Sequence, residues 1–153
     1  MGIFSFLTKK QDWFTPAEHE AIVTAIRAAE KRTSGEIRLF VESKCSYVDP
    51  VHRAAEVFFG LQMDKTDDRN AVLLYIAMKD HQLAVFGDQG IHEKVGTAFW
   101  NEEVKKMLAS FGKQHYAEGI VQIVTEIGDA LVYHFPYEKE DRNELPDDIV
   151  FGR

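Results

Sequence analysis

Four acidic residues stand at positions from which they could act together: Glu36, Asp67, Asp68 and Asp88. Asp67-Asp68-Arg69-Asn70 leads into the apolar run Ala71 to Met78, and Gly87-Asp88-Gln89-Gly90 follows the next one, Leu83 to Phe86. Carboxylates brought close without compensation repel, and their pKa values rise until a cation or a guanidinium offsets them. The sequence offers two compensators. One is Arg69. The other is a hard cation bound through oxygens, with calcium suited to irregular loops and magnesium, the stricter octahedral ion, as the alternative. A second chemistry is written at Gly87 and Gly90, where glycines before a helix let backbone N–H groups point at an anion such as phosphate. The same residues also read as ordinary caps and turns, and the sequence leaves these readings open.

Other chemistries are absent. Asp64, Thr66, Asp68 and Asn70 alternate as in half an EF-hand loop, but Arg69 stands where that loop needs Gly and Tyr75 where it needs Glu. His92-Glu93 opens like a zinc-protease helix, yet Gly96 replaces the second His. No GxGxxG, Walker A or GxSxG pattern occurs. The lone Cys45 excludes an internal disulfide and a cysteine metal cluster. A net charge of −7 argues against a nucleic-acid binder, which needs a basic face.

The elements that must position the acidic loops can be read from period and punctuation. Thr15-Pro16-Ala17-Glu18 starts a helix by capping box and proline, and Ser34-Gly35 ends it near residue 33. Glu36 to Glu42 alternates polar and apolar as a half-buried strand does. Asp49-Pro50 opens a second helix reaching about Met63. Asn70 to Met78 is an almost unbroken apolar run from Ala71 on, so both its faces must be covered. Lys79 to His81 turns the chain back into Gln82 to Phe86. Two helices follow, Ile91 to Phe111 with a break near Gly96, and Tyr116 to His134. The length from Glu36 to Met78 suits a right-handed crossover, which makes those strands parallel and the third antiparallel. This predicts an α/β fold, a mixed sheet with helices on both faces. Its three loops at Thr33–Glu36, Asp67–Asn70 and Gly87–Gly90 then meet at one end.

The expected organisation is an N-terminal segment over 1–14, the α/β domain over 15–135 and a polar, mobile tail over 136–153, within which Ile149-Val150-Phe151 is the segment that could dock. Phe4, Phe6 and Leu7 are expected to dock on the domain. No apolar run is long enough to span a bilayer, and the first residues lack the pattern of a secretory signal, so the expectation is a soluble cytoplasmic protein.

At these same residues the chain resembles the TPM-domain family, to which the thylakoid-lumen acid phosphatase-like proteins belong. The carriers are Thr33-Ser34-Gly35-Glu36-Ile37-Arg38, Asp68-Arg69-Asn70-Ala71-Val72-Leu73-Leu74 and Phe86-Gly87-Asp88-Gln89-Gly90-Ile91, with Val95-Gly96 and Phe99-Trp100 beyond. The resemblance implies a Rossmann-like open sandwich, a divalent-cation site in an acidic cleft and, for some members, phosphatase activity. Many relatives have Asp-Asn-Gly where this chain has Asp68-Arg69-Asn70, which sets a guanidinium in the cleft. The expected function is a non-catalytic binding or interaction module holding a cation, calcium in the first instance, at Asp67, Asp68, Asp88 and Glu36. Its expected partners are that cation and a protein or a phosphorylated small molecule held near Gly87 and Gly90. The alternative is a metal-dependent phosphatase acting on phosphomonoesters. Whether the chain is an enzyme stays open at this stage.

Overall fold

The computed structural model describes residues 13–113, 115–137 and 149–152. The order of elements is α1 (Pro16–Glu30), β1 (Glu36–Glu42), α2 (Pro50–Gly60), β2 (Ala71–Ala77), β3 (Gln82–Gly87), α3 (Gln89–Gly112), α4 (Tyr116–His134) and β4 (Val150–Phe151). The α1 capping box forms, with Thr15 and Glu18 each satisfying the other's backbone N–H. Asp49 caps α2 by accepting from Val51 N at 2.9 Å.

The sheet order is β3-β2-β1-β4. β1 runs parallel to β2, with Glu36 opposite Ala71, and β3 runs antiparallel to β2, with Gly87 opposite Val72. This is the arrangement the crossover length and the short turn require. The terminal Ile149-Val150-Phe151 supplies a strand that the sequence pattern did not declare, two residues paired parallel to β1. The charged stretch before it, 138–148, lies outside the described residues, as do Phe4, Phe6 and Leu7. Among the described residues no helix is long and apolar enough to cross a membrane.

Strand side chains alternate between two cores. Ile37, Leu39, Val41, Val72, Leu74, Ile76 and Val85 pack with α1, α3 and α4. Phe40, Leu73, Tyr75, Ala77 and Ala84 pack on the other face with Phe58 and Met63 at α2. β1 departs from the half-buried expectation, since all seven residues are buried. The reason is that α2 covers its polar face and supplies Arg53, whose Nε and Nη2 each lie 2.9 Å from an oxygen of Glu42. Polar residues buried on such a strand take partners instead of water.

A second buried carboxyl sits where α3 packs on α4. Glu103 is 3% exposed, its Oε2 accepts from Lys106 Nζ at 3.4 Å, and its Oε1 has no partner. Burial, then the neighbouring Glu126 carboxyl, push its pKa up to about 7 against the pull of Lys106. A carboxyl whose folded pKa is raised contributes stability that is complete below the unfolded value near 4.5 and is lost as pH rises through about 7. Glu126 is shifted down, first by its hydrogen bond from Lys106, so its opposing contribution is lost only at more acid pH. The loss through the Glu103 window is expected to be about 2 kcal/mol. Glu103→Gln is therefore expected to match the parent at pH 5 and exceed it at pH 8. Urea titrations at the two pH values check this, and equal midpoint differences at both would refute it.

Candidate functional site

The three loops converge as the topology demands. β1 and β2 begin at the end of the sheet where β3 finishes. Thr33 Oγ1 donates to Leu131 O at 3.1 Å and accepts from Gly35 N at 3.0 Å, which ties the entry of β1 to the last turn of α4. Asp88 N reaches Ala71 O at 2.9 Å, and Gly90 N reaches Arg69 O at 2.7 Å. The approach at Gly90 is so close that a β-carbon there would lie 2.1 Å from Asp68 O and 2.7 Å from Arg69 O. Only glycine lets the first turn of α3 rest on that backbone.

At the centre stands an ion pair. Arg69 Nε lies 2.7 Å from Asp88 Oδ2 and Nη2 lies 2.8 Å from Oδ1, a fork on both carboxylate oxygens. Asp88 is 2% exposed and also caps α3, with Oδ1 accepting from Gln89 N at 2.8 Å. The Asp88 hydrogen bonds and charge raise the pKa of Arg69 further. Arg69 holds this position at φ 51°, in the left-handed region that a β-carbon disfavours by about 1 kcal/mol.

The four predicted carboxylates do not share one point. Asp88 is committed to Arg69, Asp67 and Asp68 are exposed, and Glu36 is buried on the strand face that also carries Phe40 and Glu42. Among the described residues no three His, Cys, Asp or Glu side chains are placed to hold a metal ion together. A different set of oxygens does gather. Ser34 Oγ donates to Asp68 Oδ2 at 3.4 Å and accepts from Asn70 Nδ2 at 3.1 Å. Asn70 is 1% exposed, and its Oδ1 is buried without a partner. Asn70 Oδ1 is thus an orphaned carbonyl oxygen on the residue whose amide nitrogen meets Ser34, and carbonyl, hydroxyl and carboxylate oxygens are the donors a hard cation takes. Asp68, Ser34 and Asn70 are the residues that would hold the group that the resemblance implies.

Gly87 serves the other side of the corner. A β-carbon there would meet Trp100 Cζ2 at 2.3 Å, so the indole lies flush on the strand end. Beyond it opens a cavity of 530 Å³ whose lining includes Phe59, Arg69, Phe86, His92 and Trp100. No periodicity in the sequence marks residues from three separate elements as one wall.

The opposite end of the sheet holds a second polar cluster. Glu42 receives Arg53 and the hydroxyl of the fully buried Tyr75, and Arg53 Nη1 also meets Glu56 Oε1 at 2.5 Å. Burial first, then the Glu42 carboxylate, raise the Tyr75 hydroxyl far above its ordinary range. Cys45 N donates to Asp80 Oδ2 at 2.8 Å here, and Cys45 Sγ lies 3.5 Å from Tyr47 O, so the thiol faces a carbonyl and not a histidine base.

Comparison with known proteins places this geometry. The solution structure of BA42 protein from the psychrophilic bacterium Bizionia argentinensis is similar over 93% of this chain and 97% of its own, at 39% identity and TM-score 0.85. The N-terminal domain of a P. gingivalis protein matches at 14% identity, over 83% of each chain, with TM-score 0.61. The N-terminal domain of cg2496 protein from Corynebacterium glutamicum matches at 12% identity, over 77% of this chain and 74% of its own, with TM-score 0.56. These last two share the fold. No curated protein matches the chain. The TPM domain model matches residues 7–130, across all three converging loops, and this chain belongs to the TPM-domain family.

Proposed function

We propose that the chain is a non-catalytic binding module that takes a divalent cation, calcium in preference to magnesium, at the meeting point of its three loops. The observation that carries this reading is the buried, unpartnered Oδ1 of Asn70, the residue whose amide nitrogen meets Ser34 and through it Asp68. Asp68 supplies the charge, Asn70 and Ser34 supply neutral oxygens, and Arg69 keeps Asp88 out of the set. A bound cation would complete the coordination that Asn70 lacks and join the start of β1 to the start of β2. Calcium suits the irregular loops, because its coordination is looser than that of magnesium.

A cation bound only by the folded state stabilises by mass action, about 2.7 kcal/mol at a free concentration 100 times its dissociation constant. For a domain of this size the melting temperature is expected to rise by about 5 to 10 °C. Asp68→Asn is expected to lose most of that rise. Arg69→Ala is expected to enlarge it, because Asp88 becomes available. Melts with calcium, magnesium and EDTA read these outcomes. The absence of a calcium response in both the parent and Arg69→Ala would falsify the cation reading. Turnover of an aryl phosphate in the calcium samples, abolished by EDTA and by Asp68→Asn, would instead favour the phosphatase alternative.

A further inference from the structure

The cavity beside Gly87 is a separate feature from the oxygen cluster and does not depend on the cation. β3 is an edge strand, and α2 and α3 pack on opposite faces of the sheet. Both contribute to the lining, so the cavity is a slot along the outer edge of β3 at Val85 to Gly87. One wall is Phe59 against Phe86, with ring centres 5.8 Å apart. The other is Trp100 with His92. Phe59 is 49% exposed, which is unusual for a large aromatic packed beside other rings. A volume of 530 Å³ falls in the range of small-molecule sites.

Two polar groups of the slot, Arg69 and His92, offer donors, beside the amides and hydroxyl of Gln89, Asn101 and Thr97 and the carboxylates of Asp88 and Glu93. Arg69 uses Nε and Nη2 on Asp88, which leaves Nη1 for another acceptor. The Arg69 side chain is 41% exposed while the Asp88 side chain is 2% exposed, so the cation is the accessible member of the pair. His92 Nδ1 accepts from Trp100 Nε1 at 3.0 Å, so the neutral ring carries its proton on Nε2 and presents a second donor. Glu93 lies at the rim as the one exposed carboxylate of the lining. Aromatic walls with a guanidinium and an imidazole N–H at one end are complementary to a flat ring bearing an acid. From this the geometry points to a binding site for an aromatic anion, an aryl carboxylate or aryl phosphate, with its ring between Phe59 and Trp100 and its acid group on Arg69 and His92.

The test uses the full chain in EDTA, so that its outcome is independent of the cation reading. 2-Naphthoate, 2-naphthyl phosphate, 2-naphthol and 2-naphthylmethylammonium are titrated while the Trp100 indole N–H resonance is followed. The two anions are expected to move that resonance and to bind roughly tenfold or more tightly than 2-naphthol, as a charge-assisted hydrogen bond requires. The tighter of the two identifies carboxylate or phosphate as the source. Phe59→Ala, at an exposed position, is expected to weaken every naphthyl compound roughly tenfold. Arg69→Gln is expected to remove the preference for anions over 2-naphthol. Equal affinity for 2-naphthol and 2-naphthoate in the parent would overturn the proposal, and so would binding that Phe59→Ala does not weaken. A resonance that moves only with an extended apolar hexapeptide would assign the slot to strand addition along β3 and would equally overturn it.

Discussion

Gly90→Ala is expected to destabilise the protein by about 3 kcal/mol, because the added methyl group meets backbone on two sides. Its contacts, Asp68 O at 2.1 Å and Arg69 O at 2.7 Å, belong to the loop that leads into β2 and cannot rotate aside as a side chain would. Relief requires that the first turn of α3 lift off the loop, which breaks the 2.7 Å bond from Gly90 N to Arg69 O. The Arg69–Asp88 fork spans the same gap and would be stretched with it. For a domain of this length the melting temperature should fall by about 6 to 12 °C. Gly60→Ala is the control, since a β-carbon there meets nothing within 4 Å. It should be neutral or stabilising, by up to about 1 kcal/mol, through reduced freedom of the unfolded chain. Equal melting temperatures for the two variants would show that the close approach at Gly90 is not a constraint on the fold.

The second large effect lies at the far end of the sheet. Arg53→Ala strips a buried carboxylate of its only cation among the described residues. The Glu42 side chain is 6% exposed and would keep just the Tyr75 hydroxyl. Breaking a buried pair on one side costs about 3 kcal/mol or more, and the 25% exposure of the Arg53 side chain lowers the expectation to about 2 kcal/mol. The cause can be isolated by adding Glu42→Gln. If the penalty comes from a stranded charge, the double variant should recover at least half of it. If it comes from lost packing of the Arg53 stem over the Phe40 ring, whose centre lies 5.6 Å from the guanidinium carbon, the second substitution should recover nothing. Urea titrations of the three proteins separate the two causes.

Local and near-local signals carried most of the architecture. Capping boxes and prolines marked the helix starts at Thr15 and Asp49, and the apolar run after Asn70 marked a strand covered on both faces. Crossover length then gave the parallel pair and hence the meeting of the three loops. Arg69 was legible as one of two compensators for the acidic loops, and its pairing with Asp88 in particular was not. What sequence could not give was the direction in which each side chain leaves its backbone. Glu36 sits at the expected end of β1 but on the face that packs against α2, and a shift of one residue would have sent it elsewhere. Asn70 lost its Oδ1 partner through packing that no propensity encodes. β4 was hidden because a two-residue strand has no period to read.

One residue described only as a break in α3 has a mechanical consequence for the aromatic slot. Gly96 sits at φ 78° and ψ 168°, a conformation open in practice to glycine alone, with nothing within 4 Å of where a β-carbon would be. It divides α3 into two rigid rods. His92 rides on the first and Trp100 on the second, and the bond between their rings crosses the joint. Asp88 and Gly90 fasten the first rod to the sheet end, while Trp100, Met107 and Phe111 fasten the second to the core. The slot is thus the jaw of a joint with a single pivot. A turn about the two torsions of Gly96 changes the distance between its donors and its rings without breaking a hydrogen bond inside either rod. Across the joint itself runs the His92–Trp100 bond, worth about 1 kcal/mol, which with the packing of Ile91 and Trp100 in one core opposes such a turn.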